Sequence, residues 1–127
     1  MDGKKILIVD DEAELREALR TALEDAGFGV VEATDGQEGV TVALNEHPDL
    51  VLLDVMMPNL SGHGALEQLR ADPWGKHVPV IMLTALDDAR TVTKVVEGGG
   101  NDFIVKNNIH LDEVVEKVKH QIGGYHH

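Results

Sequence analysis

The chain contains no cysteine. That excludes a disulfide framework and any metal held by thiolates. Aromatic residues make up only 3% of the sequence, so the core has to be built from aliphatic side chains. Cations are scarce as well: 11 Lys and Arg stand against 23 Asp and Glu, giving a formal net charge of -12. A chain this acidic has no broad basic face for nucleic acid. No apolar run approaches the roughly 18 residues of a membrane-spanning helix. Behind MDGKK only four apolar residues follow, so no signal peptide is expected. The expectation is a soluble, cytoplasmic protein with no membrane partner.

What is present suits one domain. The chain has 127 residues, 43% of them hydrophobic. Residues 1–122 are assigned to that domain, and 123–127 (GGYHH) to a linker or tag remnant. Five short apolar runs recur: Lys5–Asp10, Gly29–Ala33, Leu50–Asp54, Val78–Thr84 and Phe103–Lys106. Three are almost continuously apolar, as parallel strands buried on both faces require. The second is weaker and contains Glu32, which suits an edge strand. Helical patterns separate the runs. Glu12–Ala26 places Leu15, Ala18, Leu19, Ala22 and Leu23 on one face, at spacings of three and four. Asp35–Asn45, Gly64–Ala71, Asp87–Glu97 and Leu111–Ile122 follow. Alternation of this kind predicts an α/β fold, a parallel sheet with helices on both faces. Gly98–Gly100 predict a loosely held loop ahead of the last strand.

In such a sheet the carboxyl ends of the strands share one edge, and ligands bind there. The first run is followed by Asp10, Asp11 and Glu12. Asp54 ends the third run, Thr84 the fourth and Lys106 the fifth. Singly, each has an ordinary explanation: Asp11 caps the first helix, Thr84 caps the next, and Lys106 is a surface lysine. Together they gather three carboxylates within a few ångströms. Two such charges about 4 Å apart repel by about 4 kcal/mol at an effective dielectric of about 20. A hard divalent cation relieves this, because Mg²⁺ takes oxygen ligands, typically one or two carboxylates plus phosphate. Lys106 adds a compact positive charge and Thr84 a hydroxyl. No histidine stands on this edge as a general base. The set suits phosphoryl transfer, with Asp54 as a carboxylate nucleophile.

In order and spacing, these residues resemble the receiver domains of two-component response regulators. The likeness is carried by "ILIVDDE", "PDLVLLDVMMP", "PVIMLTA" and "GGGNDFIVK", and extends from Lys4 to Ile122. It implies a doubly wound, flavodoxin-like sheet of five parallel strands in the order 2-1-3-4-5. It implies that Asp54 accepts a phosphoryl group from a sensor histidine kinase or phosphotransfer protein. Mg²⁺ (or Mn²⁺) would be held by Asp11, Asp54 and the backbone carbonyl of Met56, with Asp10 acting through water. Thr84 and Lys106 would contact the phosphoryl oxygens, and the small Ala85 would leave room for them. Phe103 takes the place of the switch aromatic, altering the surface of the fourth helix, fifth strand and fifth helix, where an output protein or domain would dock. Met56 and Leu86 occupy the two positions that tune phosphate lifetime, and neither is able to orient an attacking water. Such a domain is a phosphoprotein that catalyses its own phosphotransfer, and it is not a turnover enzyme. It would be a monomer or weak dimer without direct nucleic-acid contact.

One departure from the family pattern concerns the lysine. Asn107 follows Lys106 where the family usually has a cis proline, and a cis bond to a non-proline residue costs about 2.5–4 kcal/mol. A trans bond is therefore expected here, which puts the placement of Lys106 at issue. The competing reading is a receiver-like interaction module that does not switch. A third, a metal-dependent phosphatase with an aspartyl nucleophile, would need the nucleophile after the first strand and another Asp where Glu12 stands. Trp74 is expected to cover an apolar edge, and the histidines, including His47, to be solvated.

Overall fold

The computed structural model describes residues 3–57, 59–85, 99–107 and 109–122. Five strands are present: β1 (Lys5–Val9), β2 (Gly29–Ala33), β3 (Leu50–Asp54), β4 (Val80–Thr84) and β5 (Asp102–Val105). They form one sheet in the order β2-β1-β3-β4-β5, with every neighbouring pair parallel. Four helices are described: α1 (Ala13–Asp25), α2 (Gly36–Glu46), α3 (Gly62–Ala71) and α4 (Leu111–Ile122). The helix predicted at Asp87–Glu97 lies outside the described residues, as do Leu86, Gly98 and 123–127.

The alternation of side chains along the strands divides the core in two. Leu7, Val9, Val51, Leu53, Val80 and Met82 face one way, against Val40 and Ala43 of α2 and Ala65, Leu66 and Leu69 of α3. Ile6, Ile8, Leu50, Leu52, Ile81 and Leu83 face the other way, against Leu19 and Leu23 of α1 and Val114 and Val118 of α4. This is why β3 and β4 read as unbroken apolar runs: both of their faces are covered, and every residue in them is buried.

Glu32 in β2 has a more specific role than an edge position requires. Its carboxylate accepts from Arg16 Nε at 3.0 Å and from Arg20 Nη1 at 2.6 Å, tying α1 to the edge strand. Arg16 also donates through Nη1 to the Asp10 carbonyl oxygen at 2.7 Å, which fixes the backbone just beyond β1.

The loop before β5 departs from the expectation of looseness. Arg70, at the end of α3, donates to the Gly99 oxygen from Nε at 3.1 Å and from Nη2 at 2.7 Å. The same guanidinium reaches the carbonyls of Gly75 and Val78 and the Asn101 side-chain oxygen. Asn101 Oδ1 in turn accepts from Val80 N at 2.8 Å, and so registers β5 on β4. Gly99 sits at φ +93°, where a side chain would be strained, and an added Cβ would stand 3.1 Å from Arg70 Nε. Burial lowers the pKa of this guanidinium. Trp74, half-buried, packs against the core cluster on the α2–α3 side, as expected of an edge cover. His47 is exposed, as expected, and its ring also stacks on Trp74 with centroids 4.5 Å apart and planes at 13°.

Candidate phosphoacceptor site

Strand register decides which residues meet. Val9 pairs with Leu53, so Asp10 and Asp54 each stand one residue beyond that pair. Asp54 pairs with Leu83, and Thr84 with Val105, so Lys106 follows directly at the end of β5. The Lys106 backbone N–H extends the ladder by donating to the Thr84 oxygen at 2.7 Å. Asp10, Asp54, Thr84 and Lys106 therefore lie at one edge of the sheet, with Asp11 and Glu12 following directly on Asp10.

Asp10, Asp54 and Thr84 are the polar and charged residues buried among the described residues, with 0%, 3% and 3% of their surface exposed. Lys106 Nζ stands 3.0 Å from Asp10 Oδ2, 3.2 Å from Asp54 Oδ2 and 2.5 Å from Glu12 Oε1. The Asp10 contact is an ion pair without hydrogen-bond alignment, so Asp10 Oδ2 is a buried oxygen with no hydrogen-bond partner. Its other oxygen accepts from Glu12 N at 2.8 Å. Asp54 Oδ1 accepts from Met56 N at 3.2 Å. The expectation that Asp11 caps α1 is corrected: the N-cap is Glu12, whose side chain makes no capping bond, and the carboxylate that turns back on the helix start is Asp10.

These contacts shift two protonation equilibria. Burial, and then the charge on Asp10, push the Asp54 carboxyl up to about 6, against the pull of Lys106. Burial also opposes the charge on Lys106, but Glu12, Asp10 and Asp54 together outweigh it and raise the lysine pKa.

A cavity of about 470 Å³ opens over the site, lined by Asp11, Glu12, Leu15, Asp54, Met56, Ala85, Lys106 and Asn107. Asp10, Glu12 and Asp54 each bring a carboxylate oxygen within 4.8 Å of the others. Asp11 is exposed and lines the cavity without joining that trio. Hard oxygen donors and a buried carboxylate oxygen lacking a hydrogen bond are what a divalent cation such as Mg²⁺ requires, so the residues fit one. Glu12, noted in the sequence after the first run, is the member absent from the expected ligand set. Its signal was its position three residues past the end of β1, hidden by its equally good fit to the acidic first turn of a helix.

The other site residues fall as follows. Ala85 is exposed at the cavity wall, and Met56 is 74% exposed at its rim. The Lys106–Asn107 peptide is trans. Lys106 still reaches Asp54 at 3.2 Å, and Asn107 Nδ2 donates to the Ala85 oxygen at 3.2 Å, bridging the ends of β5 and β4. Phe103 is half-buried beside the α2–α3 core cluster. It also lines a second cavity of about 300 Å³ with Ile109, His110, Glu113 and Lys117. Leu86 lies outside the described residues.

The backbone that carries Asp54 is held from below. Gly62 opens α3, and its N–H donates to the Val55 oxygen at 2.9 Å. A Cβ on Gly62 would lie 2.1 Å from the Asp54 carbonyl oxygen, a separation only glycine permits.

Residues 6–119 match the family model of the response regulator receiver domain. The chain belongs to that family. Among its relatives is the probable transcriptional regulator ycf27 of Cyanophora paradoxa, 48% identical over 84% of this chain and 43% of its own length. The phosphate regulon transcriptional regulatory protein PhoB of Pseudomonas aeruginosa is 42% identical over 84% of this chain and 46% of its own. The receiver thus spans less than half the length of either relative. In structure it is similar to a putative response regulator from Chloroflexus aurantiacus, with a TM-score of 0.88, 32% identity, and coverage of 94% of this chain and 97% of that one. The five-stranded order observed here is therefore that of a two-component receiver. No helix among the described residues is long and apolar enough to cross a membrane.

Proposed function

We propose that this receiver is switched by phosphorylation of Asp54. The observation that carries the reading is a carboxylate buried at the end of a central strand yet open to a cavity, with Lys106 3.2 Å away. An Asp54 oxygen attacks the phosphorus of a phosphohistidine on a sensor kinase or phosphotransfer protein. The new P–O bond forms as the P–N bond breaks, and the imidazole leaves with the electron pair. Lys106 and the Thr84 hydroxyl hold the phosphoryl oxygens, and the small Ala85 leaves space for them. Mg²⁺ or Mn²⁺, held by Asp10, Asp11, Asp54 and the Met56 carbonyl, with Glu12 in reach, would neutralise charge on the transferring group. With the cation against Asp54, the ionised carboxylate is favoured despite its burial.

The output runs through Phe103. As Thr84 closes on the phosphoryl group, Phe103 turns inward, altering the face of β5, α4 and the predicted fourth helix, where an output protein or domain docks. Relatives named as transcriptional regulators suggest an output in transcription, with nucleic acid contacted outside the receiver. Met56 and Leu86 cannot orient water, so the aspartyl phosphate persists for longer than in receivers carrying polar residues there.

The test is binding of beryllofluoride with Mg²⁺, followed by ¹H–¹⁵N spectra of the receiver and of Asp54→Asn. Saturable shifts at Thr84, Lys106 and Phe103 in the receiver alone are expected. Their absence would instead favour an interaction module that does not switch. Tryptophan fluorescence is a poor reporter, because Trp74 stacks on His47 beyond the end of α3 and does not line the cavity.

A further inference from the structure

An ammonium has three N–H donors, and around Lys106 stand three carboxylates. They are unequal partners. The side chains of Asp10 and Asp54 are 0% and 4% exposed, so losing the lysine would strand a buried charge. The Glu12 side chain is 61% exposed and makes no bond to its own helix. It can turn to water at little cost. Yet its contact, at 2.5 Å, is the shortest of the three. Lys106 thus donates to Glu12 and Asp54 and is ion-paired with Asp10 before any ligand arrives, and of the two hydrogen-bonded partners Glu12 is the one easily released.

We infer that Glu12 is the exchangeable partner of Lys106. It occupies the ammonium in the resting receiver and yields it when a phosphoryl group on Asp54 takes up the same N–H. The inference rests on the phosphoacceptor reading and adds a positioning residue to it: Glu12 sets the threshold for activation by competing for the lysine. The carboxylate competes with the phosphoryl oxygens for one donor, so removing its charge frees the donor. It leaves the helix start intact, because Glu12 N still donates to Asp10 Oδ1.

Glu12→Gln tests this with two readouts. The first is the Lys106 ammonium signal in ¹H–¹⁵N spectra of metal-free receiver, assigned by its loss in Lys106→Arg. It should be clearly shifted or broadened in Glu12→Gln. The second is beryllofluoride affinity at saturating Mg²⁺, which removes any change in metal binding. It should be about two- to five-fold tighter in Glu12→Gln, the range that loss of an exposed ion pair spans. Glu17→Gln, which removes an equal charge from the exposed side of α1, should change neither. An unmoved ammonium signal, weaker anion binding, or equal tightening in Glu17→Gln would overturn the inference. Failure of the unmodified receiver to bind beryllofluoride would refute the phosphoacceptor reading instead. The metal-free ammonium signal would still decide whether Glu12 holds Lys106.

Discussion

Replacing Asp54 with Asn should stabilise the metal-free receiver, although it removes the residue on which function depends. The carboxyl is held at about 6 against an ordinary value of 3.8. A carboxyl whose folded pKa lies above its unfolded one stabilises the fold while protonated, and that contribution is lost as pH rises through the folded pKa. The window here runs from about pH 4 to above pH 6. Two pKa units at about 1.4 kcal/mol each set a ceiling near 3 kcal/mol at neutral pH. Asparagine is an imperfect stand-in for a protonated carboxyl, so about 2 kcal/mol is expected, or about 8 °C in Tm for a domain of this size. The assay is urea unfolding of both proteins in chelator, from pH 5 to pH 8. The advantage of Asp54→Asn should roughly double across that range, from about 1 to about 2 kcal/mol. Saturating Mg²⁺ should stabilise the unmodified receiver and narrow the gap. A difference independent of pH, or an unmodified receiver that is the more stable at pH 8 in chelator, would refute the argument that burial and Asp10 strain this carboxylate.

Gly62→Ala should destabilise by about 2–3 kcal/mol, since its Cβ would meet the Asp54 carbonyl at 2.1 Å and neither backbone is free to yield; a urea midpoint equal to that of the unmodified protein would contradict this. Arg70→Met keeps the stem but leaves the oxygens of Gly75, Val78 and Gly99 without their donor, and Asn101 Oδ1 with Val80 N alone. About 2 kcal/mol of stability should be lost, with faster amide exchange at Val80 and Asn101. Met56→Asn places a side chain able to hold water at the cavity rim, so loss of phosphate should be several-fold faster than from the unmodified receiver, followed by mass spectrometry.

The sheet was legible because burial on both faces leaves a plain mark. Gly29–Ala33 and Leu50–Asp54 have the predicted bounds, and β4 begins two residues later than predicted. The C-terminal helix also matches, since its apolar stripe is continuous from Leu111 to Ile122. Propensity misled at α3, which begins at Gly62, two residues early, because tight packing under Asp54 demands glycine there and Ser61 supplies the cap. The site was legible for a related reason. Strand ends share an edge, so Asp10, Asp54, Thr84 and Lys106 could be gathered before any coordinates. What stayed hidden were pairings that depend on three-dimensional reach. Glu12 folds back to Lys106 across 94 residues of sequence. Arg70 crosses from α3 to Gly99, and turns an expected loose loop into a pinned one. His47 meets Trp74 only because it ends α2 in a left-handed conformation, with φ 48°.

The central claim is that Asp54 is the phosphoacceptor, and site-resolved mass spectrometry tests it most directly. The receiver is incubated with acetyl phosphate and Mg²⁺, then reduced with borohydride to mark the acyl phosphate. The account predicts addition of one phosphoryl group, with the mark confined to Asp54 and absent without Mg²⁺ or in Asp54→Asn. A mark on Asp10, Asp11 or Glu12, or no addition under conditions where the receiver is folded, would contradict it.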